Sequence, residues 1–471
     1  MQLPAPKYYP DVDSITKDIN LPFELMPKQK WAFEEVSSFA RGAYFNEVGT
    51  GKTVLATLTA LKWMARKVVI AMPPILLDQW EAWLHKVNQT SISIYRGPKR
   101  TEQMLQAKWV LVSHAIFRDS FESIQENFDV SKDVLIVDES HALKSPASIL
   151  FKCVNRLTTP NGHLILLTGT PTNKPDDSYA YIKLKTPTVY RSKGDFDNTH
   201  VEERDIFNNV TKWKHLQTMA DNLALCSVKL TYEETFGTKM EAVYDTMTYS
   251  LDAQHLKLYN KLLEEQLLLL PDNGKIDATT PQRLQHAMQQ IVVNWEHFSG
   301  GTERAAVFDL LDEVIEQTQC MQVGMSKLSV WVNYQMSNKR IVEYLRGKYG
   351  QKAIAAAYGA VDSSKGVKAI MTDPECRILV AHPKSAGVGL EMQFVSNEML
   401  FIEAATTPLE MRQTIGRIVR SGQTKTPHVR FAVAKGTVQT RLFKNLLLKD
   451  DLVSTVERTK ESLRDMLLGK D

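Results

Sequence analysis

The sequence of 471 residues is poor in cysteine and has no long uninterrupted apolar run. Its cysteines are widely separated and lack the spacing of metal ligands, which argues against a structural zinc or a disulfide framework and favours reduced, buried thiols. The apolar stretch at 267–270 stops at Pro271, far short of the length that spans a bilayer. The four cysteines are Cys153, Cys226, Cys320 and Cys376.

A large excess of charge of either sign is also missing, since the formal net charge is only +3. Any contact with nucleic acid must therefore come from a local groove rather than from a uniformly basic exterior. The N-terminus lacks a basic segment followed by an apolar one, so we expect a cytoplasmic protein that binds no membrane. With 43% apolar and 24% charged residues the chain is typical of soluble globular proteins, and its length suggests about two to four domains.

The segment from Asn46 to Thr53 has the pattern of a phosphate-binding loop. Small residues let the backbone curl so that successive N–H groups and a helix N-terminus point at phosphate oxygens. Lys52 is then expected to reach the β- and γ-phosphates of a nucleotide, and Thr53 to ligate Mg²⁺ through its hydroxyl. A strict loop has glycine where Asn46 stands, so the match is to the shorter Gly-x-Gly-Lys-Thr form. The small residues are Gly49, Thr50 and Gly51.

A short apolar run, Val134–Val137, is followed directly by Asp138 and Glu139. Such a run suits a strand buried in a parallel sheet, and the carboxyl end of that strand faces the crevice where ligands bind. Asp138 is expected to hold Mg²⁺, and Glu139 to orient or deprotonate the attacking water. The loop and the acidic pair together predict hydrolysis of a nucleoside triphosphate.

Short apolar runs alternate with helical patterns through the first half of the chain, which predicts the α/β class with a doubly wound parallel sheet. A second alternating series starts near residue 302 and has no phosphate loop of its own, which suggests that one unit binds the nucleotide and the other senses it. The expected strands are 68–71, 109–112, 134–137, 164–167, 328–332, 377–380 and 399–402, and the expected helices of the first half are 27–39, 51–63 and 76–85.

Four further segments have distinct patterns. Residues 1–24 are expected to form an extended arm, and 188–209 a polar loop. Residues 251–298 are expected to form a helical insert whose His255, His286 and His297 are surface or packing histidines. The stretch from Gln439 to Leu468 is amphipathic and is expected to be a helix packed on the second lobe. A strand-separating pin on the insert or on the 188–209 loop is a further hypothesis.

Three later motifs, combined in this order with the loop and the acidic pair, resemble those of superfamily 2 helicases of the SWI/SNF-like branch. They are Leu167–Asn173, Ser385–Leu390 and Gln413–Gln423. The resemblance implies two RecA-like doubly wound parallel-sheet lobes with a helical insert. The implied domains are an arm at 1–24, an ATP-binding lobe at 25–225, a linker and insert at 226–300, a second lobe at 301–450 and a C-terminal helix at 451–471.

The resemblance also implies roles for individual residues. Gln29 is expected to read the base of ATP, and Gly389 to belong to the nucleotide site. Arg417 and Arg420 lie three apart, hence on one helical face, and with Gln413 they suit a clamp on the γ-phosphate, because arginine donates in pairs and stays charged. The expected contacts with the nucleic-acid backbone are Pro73, Ser113, Thr170 and Gly387.

Two positions depart from the resemblance. Family members have an Arg-Arg pair where this chain has Val228-Lys229-Leu230, and an acidic residue followed by Met before the loop, where it has Asn46-Glu47-Val48. These departures concern bracing between the lobes rather than ATP hydrolysis. The short motor is similar to branch-migration helicases of large tailed coliphages, which would place it in the host cytoplasm.

The function implied is that of a monomeric, ATP- and Mg²⁺-dependent DNA helicase or translocase that acts on branched or forked DNA. Lobe closure on ATP and opening after hydrolysis would then move the protein along the strand. Three alternatives stay open: a duplex translocase that displaces bound proteins without unwinding, an RNA helicase, and a non-motor ATP switch that binds DNA as a scaffold.

Overall fold

The computed structural model describes most of the chain as two compact units that divide between Met240 and Glu241. The sequence predicted the end of the first lobe at 225, but the strand at 227–228 still pairs within the first sheet, so the first unit continues beyond that residue. The described residues are 11–47, 49–97, 100–158, 162–172, 174–237, 242–265, 267–269, 275–277, 280–300, 304–359, 363–386, 390–420 and 422–446.

The first unit is built on a seven-stranded parallel sheet with strand order β3-β4-β2-β5-β6-β1-β9. Two further strands, β7 and β8, form a separate antiparallel hairpin. The strands are β1 (Arg41–Tyr44), β2 (Val68–Met72), β3 (Ile92–Tyr95), β4 (Trp109–Ser113), β5 (Val134–Val137), β6 (His163–Leu167), β7 (Val201–Arg204), β8 (Val210–Trp213) and β9 (Ser227–Val228).

Helices flank this sheet and cover its apolar strands, which is the arrangement that parallel strands buried on both faces require. The residues of β2, β4 and β5 are buried without exception. The helices are α1 (Val12–Asp18), α2 (Pro27–Ser37), α3 (Lys52–Lys62), α4 (Leu77–Lys86), α5 (His114–Asp119), α6 (Phe121–Glu126), α7 (Ile149–Thr158), α8 (Ser178–Lys185), α9 (Lys193–His200), α10 (Leu216–Ala224) and α11 (Tyr232–Phe236).

The second unit contains a six-stranded parallel sheet with strand order β10-β17-β16-β13-β15-β14. Strands β11 and β12 pair with each other in a small antiparallel hairpin. The strands are β10 (Val243–Tyr249), β11 (Leu267–Leu269), β12 (Lys275–Asp277), β13 (Leu328–Trp331), β14 (Ile354–Ala357), β15 (Ile378–Ala381), β16 (Glu398–Phe401) and β17 (His428–Ala434).

Helices also flank the second sheet, and residues 438–446 continue the chain as a further helical segment. Together the two parallel sheets confirm the predicted fold class, with two RecA-like lobes and a helical insert that consists of α12 to α14. The helices are α12 (Ala253–Glu265), α13 (Pro281–Val293), α14 (Trp295–Ser299), α15 (Val307–Thr318), α16 (Gln335–Tyr349), α17 (Ser363–Thr372), α18 (Pro383–Ala386) and α19 (Pro408–Ile415).

Two sequence expectations about local structure were wrong. The arm at 1–24 contains α1, because Asp11 caps its first turn by accepting from the Ser14 amide and Val12 and Ile15 are buried. The 188–209 stretch is not a loop but contains α9 and most of the β7–β8 hairpin. Within the helical insert, the short strands β11 and β12 lie between α12 and α13. The predicted C-terminal helix at 451–471 lies outside the described residues.

Other features of the two units bear on partners. Among the described residues no helix combines the length and the apolar character needed to cross a membrane. His255 in the insert is buried, with its ring stacked on Trp295 and its Nε2 atom 2.8 Å from the Ile291 carbonyl oxygen, which is a packing arrangement.

Candidate functional site

The phosphate-loop pattern forms a turn between β1 and α3. Gly49 and Gly51 have φ angles of 85° and 90°, in the left-handed region that favours glycine. A Cβ atom on Gly51 would lie 2.7 Å from the Nε2 atom of Gln29, so a side chain would also collide with α2. Helix α3 then starts at Lys52 and directs its N-terminus toward the loop. Glycine is therefore required here by both conformation and space.

Lys52 is held at the mouth of this loop. Its Nζ atom donates to the carbonyl oxygens of Asn46, at 2.8 Å, and Glu47, at 3.0 Å. Gly169, in the loop after β6, leaves space beside the amine, since a Cβ there would lie 3.8 Å from the Lys52 Nζ atom. The ammonium group is thus positioned by the loop backbone, next to a site without a side chain.

The departure at Asn46 has a structural explanation. The Oδ1 atom of Asn46 accepts from the Leu230 amide at 3.0 Å, and the Glu47 amide donates to the Leu230 carbonyl oxygen at 2.9 Å. The Glu47 carboxylate accepts from the Tyr232 amide at 2.8 Å. The loop is therefore hydrogen-bonded to the segment that follows β9. Leu230 in this segment belongs to the second departure from the family pattern, Val228-Lys229-Leu230. The side chains that break the family pattern fasten the loop to this segment.

Asp138 directly follows β5 and is buried. Its Oδ2 atom accepts from the Trp80 indole N–H at 2.8 Å, and its Oδ1 atom accepts from the Glu139 amide at 2.8 Å. Burial, and secondarily the charge of Glu139, raises the pKa of Asp138 to about 6. A carboxylate that is costly to ionise alone would be stabilised by a cation, and the charge of Lys52 already acts in that direction.

Glu139 occupies a strained backbone position beside Asp138. Its φ of 47° is uncommon for a residue with a side chain and turns the backbone sharply after the strand. The Nδ1 atom of His141 lies 3.1 Å from its Oε2 atom. The Nε2 atom of His114 lies 2.9 Å from the Asp138 carbonyl oxygen, and burial lowers the pKa of His114 to about 4, so this ring is neutral. Two histidines thus fix the turn that carries the acidic pair.

Gln29 is buried against the phosphate loop rather than open to solvent. Its Nε2 atom donates to the Thr50 carbonyl oxygen at 2.9 Å, and its Oε1 atom accepts from the Met26 amide at 2.9 Å. The side chain therefore braces the loop. Recognition of an adenine edge by Gln29 stays a prediction.

The donor set fits ATP with Mg²⁺. Thr53 follows Lys52 in the first turn of α3, and its hydroxyl together with the Asp138 carboxylate offers the oxygen ligands that Mg²⁺ prefers. The left-handed backbone at Gly49 and Gly51, the start of α3 and the fixed ammonium of Lys52 suit a phosphate chain. Among the described residues there is no cluster of three His, Cys, Asp or Glu side chains that could hold a metal without such a ligand.

The expected nucleic-acid contacts divide into two places on the sheet. Pro73 follows β2 and Ser113 ends β4, and these strands are neighbours. The Ser113 hydroxyl caps α5 by accepting from the Ile116 amide at 3.2 Å. Thr170 instead follows β6, between the strands that carry Asp138 and the phosphate loop, and its buried hydroxyl has no hydrogen-bond partner within the described ranges. Gly387 and Gly389 lie outside the described residues.

In the second unit, the prediction that Arg417 and Arg420 lie on one face of a helix was wrong. Helix α19 ends at Ile415, with Gly416 as its C-cap, so Gln413 is helical whereas Arg417 and Arg420 follow in a turn. Both arginines nevertheless reach the same segment: Arg417 Nη1 lies 3.4 Å from the Leu390 carbonyl oxygen. Arg420 Nη2 lies 3.3 Å from Glu391 Oε1.

Arg420 is a largely buried cation. Burial lowers the pKa of its guanidinium, and its buried Nε atom has no hydrogen-bond partner in the described part of the chain. A buried donor without an acceptor is costly, and an anion would satisfy it.

The sequence did not reveal the role of Trp80. The structure places its indole on the carboxylate of Asp138. A usable indication existed: a tryptophan on the apolar face of α4 becomes buried, and a buried indole N–H needs an acceptor. The identity of that acceptor required the fold, since 58 residues separate the two.

Comparisons with known proteins give one consistent result. The family model of the SNF2-related domain matches residues 29–297, more than half of the chain. YqhH of Bacillus subtilis, named as an uncharacterized ATP-dependent helicase, is 23% identical over 97% of this chain and 86% of its own length. The DNA annealing helicase and endonuclease ZRANB3 of Bos taurus is 22% identical over 89% of this chain, and the DNA repair and recombination protein RAD54 of Saccharomyces cerevisiae is 21% identical over 90%.

The chain spans 39% of the length of ZRANB3 and 54% of that of RAD54. Among solved structures, the Sulfolobus solfataricus SWI2/SNF2 ATPase core in complex with dsDNA is 18% identical, with a TM-score of 0.42, and the match covers 94% of this chain and 97% of that one.

Proposed function

Because the chain belongs to the SNF2-related domain family, we propose that it is an ATP-dependent DNA helicase or translocase that moves along DNA and remodels branched DNA. The names of its relatives, which include an annealing helicase and a repair and recombination protein, support this direction. Branch migration, action as a monomer and a phage origin stay predictions from the sequence.

The observation that carries the proposal is the arrangement of charged groups at the carboxyl edge of the first sheet. Lys52 stands at the loop after β1, and Asp138 and Glu139 follow β5, with only β6 between these strands. Ligands of open parallel sheets bind at this edge. Opposite charges on either side of β6, with Gly169 beside the Lys52 amine, suit a phosphate chain with its divalent cation.

The proposal gives each residue a role. Lys52 binds the β- and γ-phosphates of ATP, while Thr53 and Asp138 hold Mg²⁺. When bound, the cation neutralises charge on the transferred phosphoryl group. Glu139 positions or deprotonates the attacking water, and His141 fixes the direction of its carboxylate.

The second unit is assigned the arginine part of the same reaction. Arg417 and Arg420, with Gln413, donate to the γ-phosphate, and the buried Arg420 guanidinium is suited to this because its Nε donor still lacks an acceptor in the described residues. Gly389 is assigned to the nucleotide as well.

The proposed DNA contacts are sequence-independent. Pro73 and Ser113 lie at the carboxyl ends of the neighbouring strands β2 and β4 and are assigned to the DNA backbone, with Gly387 in the second unit. Thr170 is assigned there too, although its place between β5 and β1 also suits coupling between DNA and the nucleotide. Lys and Arg of nearby loops would supply salt-dependent affinity.

ATP hydrolysis measured without polymer, with RNA, with linear duplex and with a four-way junction tests the proposal. We expect stimulation by DNA, strongest with the branched form, and ATP-dependent movement of the junction. Preference for RNA would favour the RNA helicase, and absence of stimulation would favour the non-motor switch. Stimulation by duplex without junction movement would favour a translocase that displaces proteins. Lys52→Ala is the control for contaminating hydrolysis.

A further inference from the structure

The β7–β8 hairpin ends in two adjacent apolar side chains that face solvent. Ile206 is 93% exposed and Phe207 is 78% exposed, the largest and the third largest values among the exposed large hydrophobic residues of the described chain. We propose that this hairpin is a wedge, whose tip inserts Ile206 and Phe207 between bases at a DNA branch point. The proposal rests on the proposed DNA-remodelling function and assigns it a strand-separating element.

The tip is a defined turn rather than a loose loop. The Asp205 Oδ1 atom accepts from the amides of Phe207, at 2.9 Å, and Asn209, at 2.8 Å. Its Oδ2 atom accepts from the Asn209 side chain at 3.0 Å. Asn208 takes the left-handed conformation, with φ 64°, and its carbonyl oxygen accepts from Arg204. These bonds fix the backbone of the turn from which the two apolar side chains project, which a wedge needs.

The base of the hairpin is fixed to the core of the first unit. Phe196 of α9 is fully buried and contacts the rings of Tyr190, His200 and Trp213. The Lys214 amide donates to the His200 carbonyl oxygen at 2.8 Å, just after β8. Force applied at the tip would therefore pass into the folded unit instead of bending a linker.

The size of the apolar tip favours DNA over a protein partner. A stable protein interface buries about 800 Å² on each partner, far more than two side chains at a turn can offer. Insertion between base steps, in contrast, uses one or two apolar residues such as phenylalanine, leucine or isoleucine. An exposed aromatic ring can also stack on any base.

The charges of the hairpin indicate how it would act. Residues 201–214 contain three acidic side chains, Glu202, Glu203 and Asp205, and three basic ones, Arg204, Lys212 and Lys214. Lys212 and Glu202 pair with each other at 2.9 Å. A hairpin without net charge is not a phosphate-gripping element. Its contribution comes from apolar contact with bases and depends little on salt.

The test is the double substitution Ile206→Ser/Phe207→Ser in the full chain. The substrate is a four-way junction with 2-aminopurine at the branch, whose fluorescence rises when the base unstacks. For the variant we expect the fluorescence rise to be lost and junction processing per ATP hydrolysed to fall about tenfold or more, since base stacking is worth about 1–3 kcal/mol. ATP hydrolysis on linear duplex should stay within about twofold of the wild type.

Two further variants complete the design. Val323→Ser removes an apolar side chain that is 85% exposed in the second unit and should change nothing. Phe207→Trp keeps an aromatic ring and should retain junction processing.

The outcomes separate the wedge from the proposed function. Wild-type protein that shows no DNA-stimulated hydrolysis contradicts the proposed function itself. A responsive wild type with a double variant that processes junctions equally well contradicts the wedge alone. An equal loss on linear duplex and on junctions also overturns the wedge, because it would make the hairpin a general DNA or protein contact.

Discussion

The two units each place a buried carboxylate at the carboxyl edge of a parallel sheet, but the carboxylates have different surroundings. Asp138 follows β5 in the first unit, and its two oxygen atoms accept from Trp80 and from the Glu139 amide. Glu403 follows β16 in the second unit and accepts from the amides of Asn333 and Tyr334 and from the Ser337 hydroxyl. The same architecture therefore contains two acids with different uses.

The difference lies in what surrounds each acid. Asp138 has a neighbouring acid and the ammonium of Lys52 within electrostatic reach. The donors of Glu403 come from the start of α16 and the turn before it, so it joins the ends of the neighbouring strands β13 and β16. The carboxylate of Asp138 can still bind a cation, whereas the carboxylate of Glu403 connects the ends of two strands through its hydrogen bonds. A buried acid at this edge is thus not sufficient for catalysis.

The largest effect is expected for Lys52→Ala, which removes the cation opposite Asp138. Hydrolysis should fall by at least about 10²-fold, because charge on the phosphoryl group is no longer neutralised. DNA affinity should stay nearly unchanged. Steady-state ATP turnover and DNA binding by anisotropy check this, with the exposed Lys86→Ala of α4 as the matched control. Normal ATP turnover in Lys52→Ala would show that the carboxyl edge of the first sheet is no more catalytic than that of the second sheet.

Arg420→Ala tests whether the second unit contributes to ATP hydrolysis through Arg420, in the turn after α19, rather than through Glu403. We expect turnover to fall about 10³-fold, within the range that an arginine acting on phosphoryl transfer provides. Arg420→Lys should not restore it, since lysine lacks the planar fork. Single-turnover hydrolysis measures the effect, with the exposed Arg441→Ala as control. Retained hydrolysis would remove the second unit from the reaction.

Trp80→Phe should lower activity at the carboxyl edge of the first sheet although both acidic residues stay in place. Asp138 would lose a charge-assisted hydrogen bond, so its carboxylate would be less well oriented, and the apparent Mg²⁺ affinity or the turnover should fall about 10- to 100-fold. A Mg²⁺ titration of ATP turnover measures it. Trp83→Phe is the matched control, since the indole of Trp83 in the same helix donates to Thr57 instead. Equal effects of both variants would indicate a packing role for Trp80.

The smallest effect on activity is expected for Glu403→Gln, with hydrolysis within about twofold of wild type. Burial raises the pKa of Glu403 from 4.5 to about 7. The folded state therefore holds the carboxyl proton of Glu403 more tightly than the unfolded state. The contribution of this group to the free energy of unfolding is greatest below pH 4.5 and is lost as pH rises through about 7.

The pH dependence of stability checks the assignment of Glu403. Glu403→Gln should lack the decline in stability with rising pH. Its free energy of unfolding relative to that of the wild type should therefore rise by about 1–3 kcal/mol between pH 5 and 8. Thermal unfolding across this range measures the difference. A variant that keeps the wild-type pH dependence, or that loses hydrolysis, would contradict the structural role.

Local patterns were sufficient to predict the elements to which the reaction is assigned. The glycines before Lys52 predicted the turn, and the apolar run before Asp138 predicted the strand, because in both cases the information is contiguous. The same reasoning missed β1, whose Arg-Gly-Ala-Tyr sequence is not an apolar run. Arg41 is buried there, its guanidinium donates to the Leu184 carbonyl oxygen at 2.8 Å, and burial lowers its pKa to about 10.

By itself, the sequence determined that the chain contains two parallel α/β units, and it predicted which residues of the first unit bind phosphate and Mg²⁺. Only the tertiary structure decided that Trp80 orients Asp138, that Asn46 fastens the loop to Leu230 and that Ile206 and Phe207 project from a rigid tip. The physical reason is distance along the chain. Hydrogen bonds need partners within about 3 Å, and folding alone brings together groups that lie far apart in sequence.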